Sequence, residues 1–125
     1  MDERLSNNRP LIGNHRPATT SLGTRDHINP ASGKVQAAVH VCGPAEIDAA
    51  ARAAVSGQKA WQDMGGAGRR DALLRLADLV ERHGDELVRM AALEVGTPVS
   101  TSGTGLALSW IRYYAGWADK IEGTV

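Results

Sequence analysis

The residues of this chain that could do chemistry are few and scattered. Cys42 is the single thiol, and its neighbours Val41, Gly43 and Pro44 supply neither base nor cation. A small, buried or half-buried structural residue is the favoured reading over a nucleophile. His15, His27, His40 and His83 show no pair at metal-ligand spacing. His40 falls on the polar face of a strand, and His83 at a helix C-terminus, where a positive imidazole suits the dipole. Gly66-Ala67-Gly68 begins a Gly-x-Gly pattern, but Asp71 stands where the third glycine belongs and no strand precedes it. It is no dinucleotide fingerprint, and it lacks the Gly-Lys-Ser/Thr of a phosphate loop. Gly103-Thr104-Gly105 fails the same test. Asp85-Glu86 reads as helix capping, and Trp110, Tyr114 and Trp117 read as a core stripe. No catalytic constellation emerges.

The elements that would carry these residues follow from periodicity. Residues 1–9 are polar and expected to be flexible. Pro10-Leu11-Ile12-Gly13-Asn14 suits a short strand, and Ala18 to Gly23 is a small-residue linker. Thr24 to Asn29 can extend again before the dense turn signal Asn29-Pro30-Ala31-Ser32-Gly33. Lys34 to Val41 then alternates, with Val35, Ala37, Val39 and Val41 on one face and Gln36, Ala38 and His40 on the other. A β-hairpin around Asn29 to Gly33 is predicted.

Period two then gives way to helical spacing. Gly43-Pro44-Ala45-Glu46 reads as a helix start, with Ile47, Ala50, Ala51, Ala54 and Val55 expected inward and Trp61 near the end. Met64-Gly65-Gly66-Ala67-Gly68 is expected to break the chain. A second helix follows from about Arg69 to His83, burying Leu73, Leu76, Ala77 and Val80. Its outer face offers the pairs Asp71–Arg75 and Asp78–Arg82. Gly84 ends it, and Asp85 starts a third helix to Val95 with Val88, Ala91, Ala92 and Val95 inward. A Ser/Thr/Gly-rich stretch leads to a fourth helix from Leu106, whose predicted inner stripe is Ala107, Trp110, Ile111, Tyr114, Trp117, Ala118 and Ile121. The outline is a short β-hairpin followed by about four α-helices, mostly α.

Composition narrows the classes. Fourteen Lys and Arg balance fourteen Asp and Glu in 125 residues, which argues against a nucleic-acid partner. The apolar runs are short and interrupted, so no membrane partner is expected. The lack of an apolar leader and the lone cysteine fit a reducing, cytoplasmic setting. A chain this long is one domain by length, or a piece of a larger one.

Six segments, in order, resemble the N-terminal part of the aldehyde dehydrogenase superfamily. Leu11-Ile12-Gly13-Asn14 resembles its opening strand and turn, and Ile28-Asn29-Pro30-Ala31-Ser32-Gly33-Lys34-Val35 its Asn-Pro-Ala-Thr-Gly turn. The helix led by Glu46-Ile47-Asp48-Ala49-Ala50 and closed by Ala60-Trp61 comes next. Arg70-Asp71-Ala72-Leu73-Leu74-Arg75-Leu76-Ala77 is similar to the family's Arg-x-x-x-Leu-x-x-Ala helix. Leu93-Glu94-Val95-Gly96-Thr97-Pro98 resembles its Glu-Thr-Gly-Lys-Pro turn, without the usual lysine. Arg112-Tyr113-Tyr114-Ala115-Gly116-Trp117-Ala118-Asp119-Lys120 completes the series.

The resemblance implies an α/β parent fold of Rossmann type, with residues 10–125 as an incomplete N-terminal part of the domain. It implies oxidation of small aldehydes to carboxylic acids with NAD or NADP. In such enzymes a cysteine thiolate attacks the carbonyl, hydride passes to the nicotinamide, and a glutamate activates water against the thioester. None of those groups can be placed on this chain, so no catalytic or cofactor-binding residue and no activity are expected of it alone. Two weaker implications concern residues that are present. The Ile28 carbonyl and Glu94 match positions near a monovalent cation in relatives, with an ordinary surface turn as the alternative. Leu106 and Trp110 match positions lining the path by which substrate enters, with core packing as the alternative. The polar run Thr101-Ser102-Gly103-Thr104-Gly105 departs from the continuous helix usual there. A homo-oligomer, or association with a full-length relative, is expected. The rival readings are a truncated, non-enzymatic helical interaction module and a decayed relic.

Overall fold

A computed structural model describes residues 9–120; the segment expected to be flexible falls almost wholly outside the described residues, as does Ile121 of the predicted fourth-helix stripe. The element order is β1 (Thr24–Ile28), β2 (Val35–His40), α1 (Pro44–Asp63), α2 (Gly65–Arg82), α3 (Gly84–Val95) and α4 (Gly105–Trp117). The expected hairpin followed by four helices is thus present, and the chain is mostly helical. Two compact units form, one from Met1–Lys59 and Leu93–Gly96, the other from Ala60–Ala92 and Thr97–Val125. Among the described residues no helix is long and apolar enough to cross a membrane.

In the first unit the turn chemistry acts as its residues dictate. The Asn29 side-chain oxygen accepts the backbone N–H groups of Ala31 at 3.0 Å and Ser32 at 2.9 Å, an Asx turn. The Asn29 N–H donates to the Lys34 carbonyl at 2.8 Å and closes the hairpin. β1 and β2 pair antiparallel from Thr24 opposite His40 to His27 opposite Ala37, and then Ile28 lies opposite Val35. Gln36 is skipped: it is a bulge residue. The bulge explains why the predicted alternation fails at one end. Ala37 is buried and Val39 half-buried, as expected, but Val35 is exposed and Gln36 half-buried. Pro10 to Asn14 is also no strand. Ile12 and His15 make one isolated bridge around Gly13, whose φ of +58° turns the chain back too sharply for an extended run.

α1 is fastened at its start. Glu46, in the first turn, accepts the Gly43 N–H at 2.8 Å, the Ser21 N–H at 2.9 Å and the Ser21 hydroxyl at 2.6 Å. The first of these is half of a capping box; the others pin the 18–23 segment onto the helix. The half-buried face of α1 includes Ala49, Ala50 and Ala53; of the predicted set only Ala50 shares it, while Ala51 and Ala54 are exposed and Ile47 and Val55 are 63% and 75% exposed. Small residues take the contact side because they admit the closest approach; a Cβ on Gly13 would stand 3.6 Å from that of Ala53.

The second unit is organised by α2 and α4, which run antiparallel. Arg69, near the start of α2, donates to the Ala118 carbonyl at 3.2 Å, and Glu81, near its end, pairs with Arg112 at 2.9 Å. The facing residues are Gly66, Leu73, Ala77 and Val80 on α2, and Leu108, Ile111 and Ala115 on α4 with Ala118 just past its end; Ala77 and Ala115 are buried. A Cβ on Gly66 would lie 3.0 Å from the Ala118 carbonyl and from Asp119, so this close crossing favours glycine. The expected break at Met64 to Gly68 is therefore confined to Met64: α2 opens at Gly65, whose φ is +68°, and Gly66-Ala67-Gly68 lies within the helix. Leu76 faces out rather than in, as does Val95 at the end of α3. Neither expected pair forms: Asp71 lies 3.6 Å from Arg70, which also reaches Asp119 at 3.6 Å, and Asp78 and Arg82 do not pair; an exposed i,i+4 pair is worth too little to hold two long side chains.

The aromatic stripe of α4 also points outward, against expectation. α4 is apolar on two sides, and packing selects the one where alanines allow contact.

Two outcomes follow from these seams. Ala115→Leu, at a position only 1% exposed, is expected to cost about 1–3 kcal/mol by overpacking. Ala54→Leu, on the exposed side of α1, should stay within about 0.5 kcal/mol in the same urea titration. The second concerns Glu46, held below the ordinary glutamate value of 4.5 by the Ser21 hydroxyl first and the Gly43 N–H next. A lowered folded-state pKa contributes stability above the unfolded value and loses it as pH falls through the folded one. The stability gap between wild type and Glu46→Gln should be full at neutral pH and close as pH drops below 4.5.

Candidate functional site

The two residue pairs singled out by resemblance lie in different units. Ile28 ends β1 beside the bulge, and Glu94 is in the last turn of α3. What joins their surroundings is the Gln36 side chain. Its Nε2 donates to the Leu93 carbonyl at 2.5 Å, while its Oε1 accepts from Asn29 Nδ2 at 2.7 Å. The same Nε2 lies 2.9 Å from His27 Nδ1. Next to these bonds Gly96, at φ +76°, abuts the ring of Pro30, which a Cβ would meet at 3.1 Å. Glu94 itself is exposed and makes no ion pair among the described residues. A carbonyl and a free carboxylate are hard oxygen donors, suited to a hard cation rather than to zinc or copper. Among the described residues no group of three or more His, Cys, Asp or Glu gathers as a metal site.

Sequence reasoning put Gln36 on the polar face and gave it no role. Its partner Leu93 is 57 residues away, and no local pattern encodes that. The bulge after the Asn-Pro turn was equally silent in the alternation.

In the second unit Leu106 and Trp110 sit one turn apart on the outer side of α4, 66% and 60% exposed. Neither side chain packs into the α2–α4 seam of this segment. Tyr113, Tyr114 and Trp117 extend the exposed stripe. Tyr113 packs edge-on to Tyr114 at 5.3 Å between ring centroids and tilts against Trp117 at 6.1 Å. The surface is apolar, aromatic and uncharged along nearly three turns.

Other chemistry is thin. Cys42 is a free, half-buried thiol. A cleft of about 520 Å³ carries Arg82 and Arg89 but also Glu81 and Asp85, beside Ser102 and Thr104; its charges balance and it pairs no nucleophile with a base. Gly66-Ala67-Gly68 does not fit a dinucleotide. It lies inside α2, and the space at Gly66 is taken by Ala118 and Asp119.

The aldehyde dehydrogenase family profile matches residues 17–125. The chain belongs to the aldehyde dehydrogenase family. A phenylacetaldehyde dehydrogenase of Pseudomonas fluorescens is 37% identical over 119 residues, 91% of this chain and 24% of its own length. The aldehyde dehydrogenase of Bacillus cereus superposes with a TM-score of 0.86 at 33% identity, over 94% of this chain and 25% of that one. PnpE of Pseudomonas sp. WBC-3, solved with nicotinamide adenine dinucleotide, gives 0.82 at 34% identity, over 91% and 24%. The chain thus spans about a quarter of the length of these aldehyde dehydrogenases.

In this aldehyde dehydrogenase segment the outer α4 face contributes little to the segment's own stability. Trp110→Ser is expected to change unfolding free energy by no more than about 0.5 kcal/mol and to reduce self-association in size-exclusion chromatography, since a large exposed apolar patch favours association.

Proposed function

We propose that residues 10–125 are the N-terminal portion of an enzyme that oxidises small aldehydes to carboxylic acids with NAD or NADP. The observation that supports this most directly is the ratio of coverages. The Pseudomonas fluorescens relative aligns with 91% of this chain but uses only 24% of itself to do so. A segment of that kind positions parts of an active site and does not perform the reaction, so the chain alone is inactive as a dehydrogenase. Leu106 and Trp110 line the path by which aldehyde enters: an exposed aromatic and aliphatic pair attracts an apolar substrate and offers no charge to hold it. The Ile28 carbonyl and Glu94 hold a monovalent cation. The working form is cytoplasmic, binds neither nucleic acid nor membrane, and is a homo-oligomer. Where the chain occurs by itself, its exposed α4 stripe favours association with a full-length relative, the reading of it as a helical interaction module.

Two measurements test this. The native polypeptide carrying these peptides in its source cells should have a mass several times 13.2 kDa; a species at 13.2 kDa would leave the association reading or a decayed relic. The purified chain, mixed with an aldehyde and either nicotinamide cofactor, should produce no reduced nicotinamide absorbance, and measurable turnover would show that this segment holds catalytic groups after all.

A further inference from the structure

Gln36 is built into the first unit in a way that a surface residue of a hairpin is not. It is the residue that the strand pairing skips, between Ala37 opposite His27 and Val35 opposite Ile28. A bulge re-aims its side chain out of the regular alternation, and here the amide reaches the end of α3. The direction of every bond it makes is fixed from the backbone upward. Asn29 Oδ1 is taken by the N–H groups of Ala31 and Ser32. Its Nδ2 must therefore donate to Gln36 Oε1. That leaves Gln36 Nε2 as a double donor, to the Leu93 carbonyl and to His27 Nδ1, so the histidine accepts at Nδ1. A half-buried amide thus has both donor hydrogens and its acceptor oxygen engaged, and each bond ends on a residue adjacent or nearly adjacent to Ile28 or Glu94.

We infer that Gln36 is a positioning residue that sets the Ile28 carbonyl and the Glu94 carboxylate in place for a monovalent cation. This rests on the cation reading of Ile28 and Glu94 above. Gln36 touches neither oxygen. It orients the carbonyl immediately before Glu94 and follows the strand partner of Ile28, so the spacing of the two donors is set through it. Outer partners of this sort commonly govern cation affinity as strongly as the ligands.

The test uses the full chain, with thermal unfolding followed in KCl, NaCl and choline chloride at matched ionic strength. Wild type should be stabilised by K⁺ or Na⁺ over choline, because a ligand that binds only the folded state raises its melting temperature. Glu94→Gln should abolish that increment. Gln36→Met, similar in length and without donors or acceptor, should weaken apparent cation affinity by at least about tenfold. A merely structural glutamine would lower the melting temperature equally in all three salts and leave the increment intact. That result, with Glu94→Gln still abolishing the increment, overturns the role of Gln36 while the cation reading stands. If wild type shows no increment, or Glu94→Gln keeps it, the cation reading fails and the positioning role falls with it. Should Gln36→Met not fold, Gln36→Glu decides. It keeps the bond from Asn29 but cannot donate to Leu93, and its added charge would strengthen cation binding if charge alone mattered. A smaller increment in Gln36→Glu supports the positioning role, and an equal or larger one overturns it.

Discussion

The contact of Ala77 and Ala115 with the seam between α2 and α4 is the constraint on which the second unit depends. With Ala37 these are the buried apolar residues among those described, and no large side chain is fully buried. Two helices that meet through alanine, with Gly66 under the Ala118 carbonyl, approach more closely than leucine or tryptophan at the same positions would allow. Close approach gains many weak contacts from little apolar area. Leu73, Val80, Leu108 and Ile111 flank the alanines in the seam, while Trp110, Tyr114, Trp117, Leu76 and Leu79 stand outside it.

The first unit follows the same rule with different parts. Ala49, Ala50 and Ala53 form the inner side of α1, and Ile47 and Val55 the outer. Because small residues supply so little burial, polar ties carry a larger share of the specificity. Glu46 gathers three donors from two segments, and Gln36 and Asn29 fasten the hairpin to Leu93. A hydrogen bond contributes modestly to stability, but a buried partner left unmade is costly, so such ties define geometry better than they add free energy.

The elements themselves were legible, and their faces were not. The Asn29 to Gly33 turn, the alternation after it and the four helical runs all follow from local propensity, which needs only neighbours in sequence. The choice of inner face needs to know the partner. α4 carries apolar residues on two sides, so its periodicity fits Trp110 and Tyr114 as well as Ile111 and Ala115, and only the presence of Ala77 and Gly66 across the seam decides. The start of α2 was obscured for a related reason: Gly66 and Gly68 read as breakers locally, yet Gly66 is favoured by close contact with a segment some fifty residues on. At the candidate site, Ile28 and Glu94 were visible through resemblance, whereas Gln36 was hidden because a one-residue bulge leaves no trace in composition.

The outer α4 face and the hairpin junction answer to opposite constraints. An outer α4 face of Leu106, Trp110, Tyr113, Tyr114 and Trp117 contributes nothing to the seam that folds it, so selection on that face is free to answer to whatever it meets. The hairpin junction is the converse case. There, geometry depends on one amide whose two donors and one acceptor are all engaged, and any substitution must break at least one bond. A face that is dispensable for folding and a residue that is not belong to one chain because alanine seams settle the fold with so few side chains.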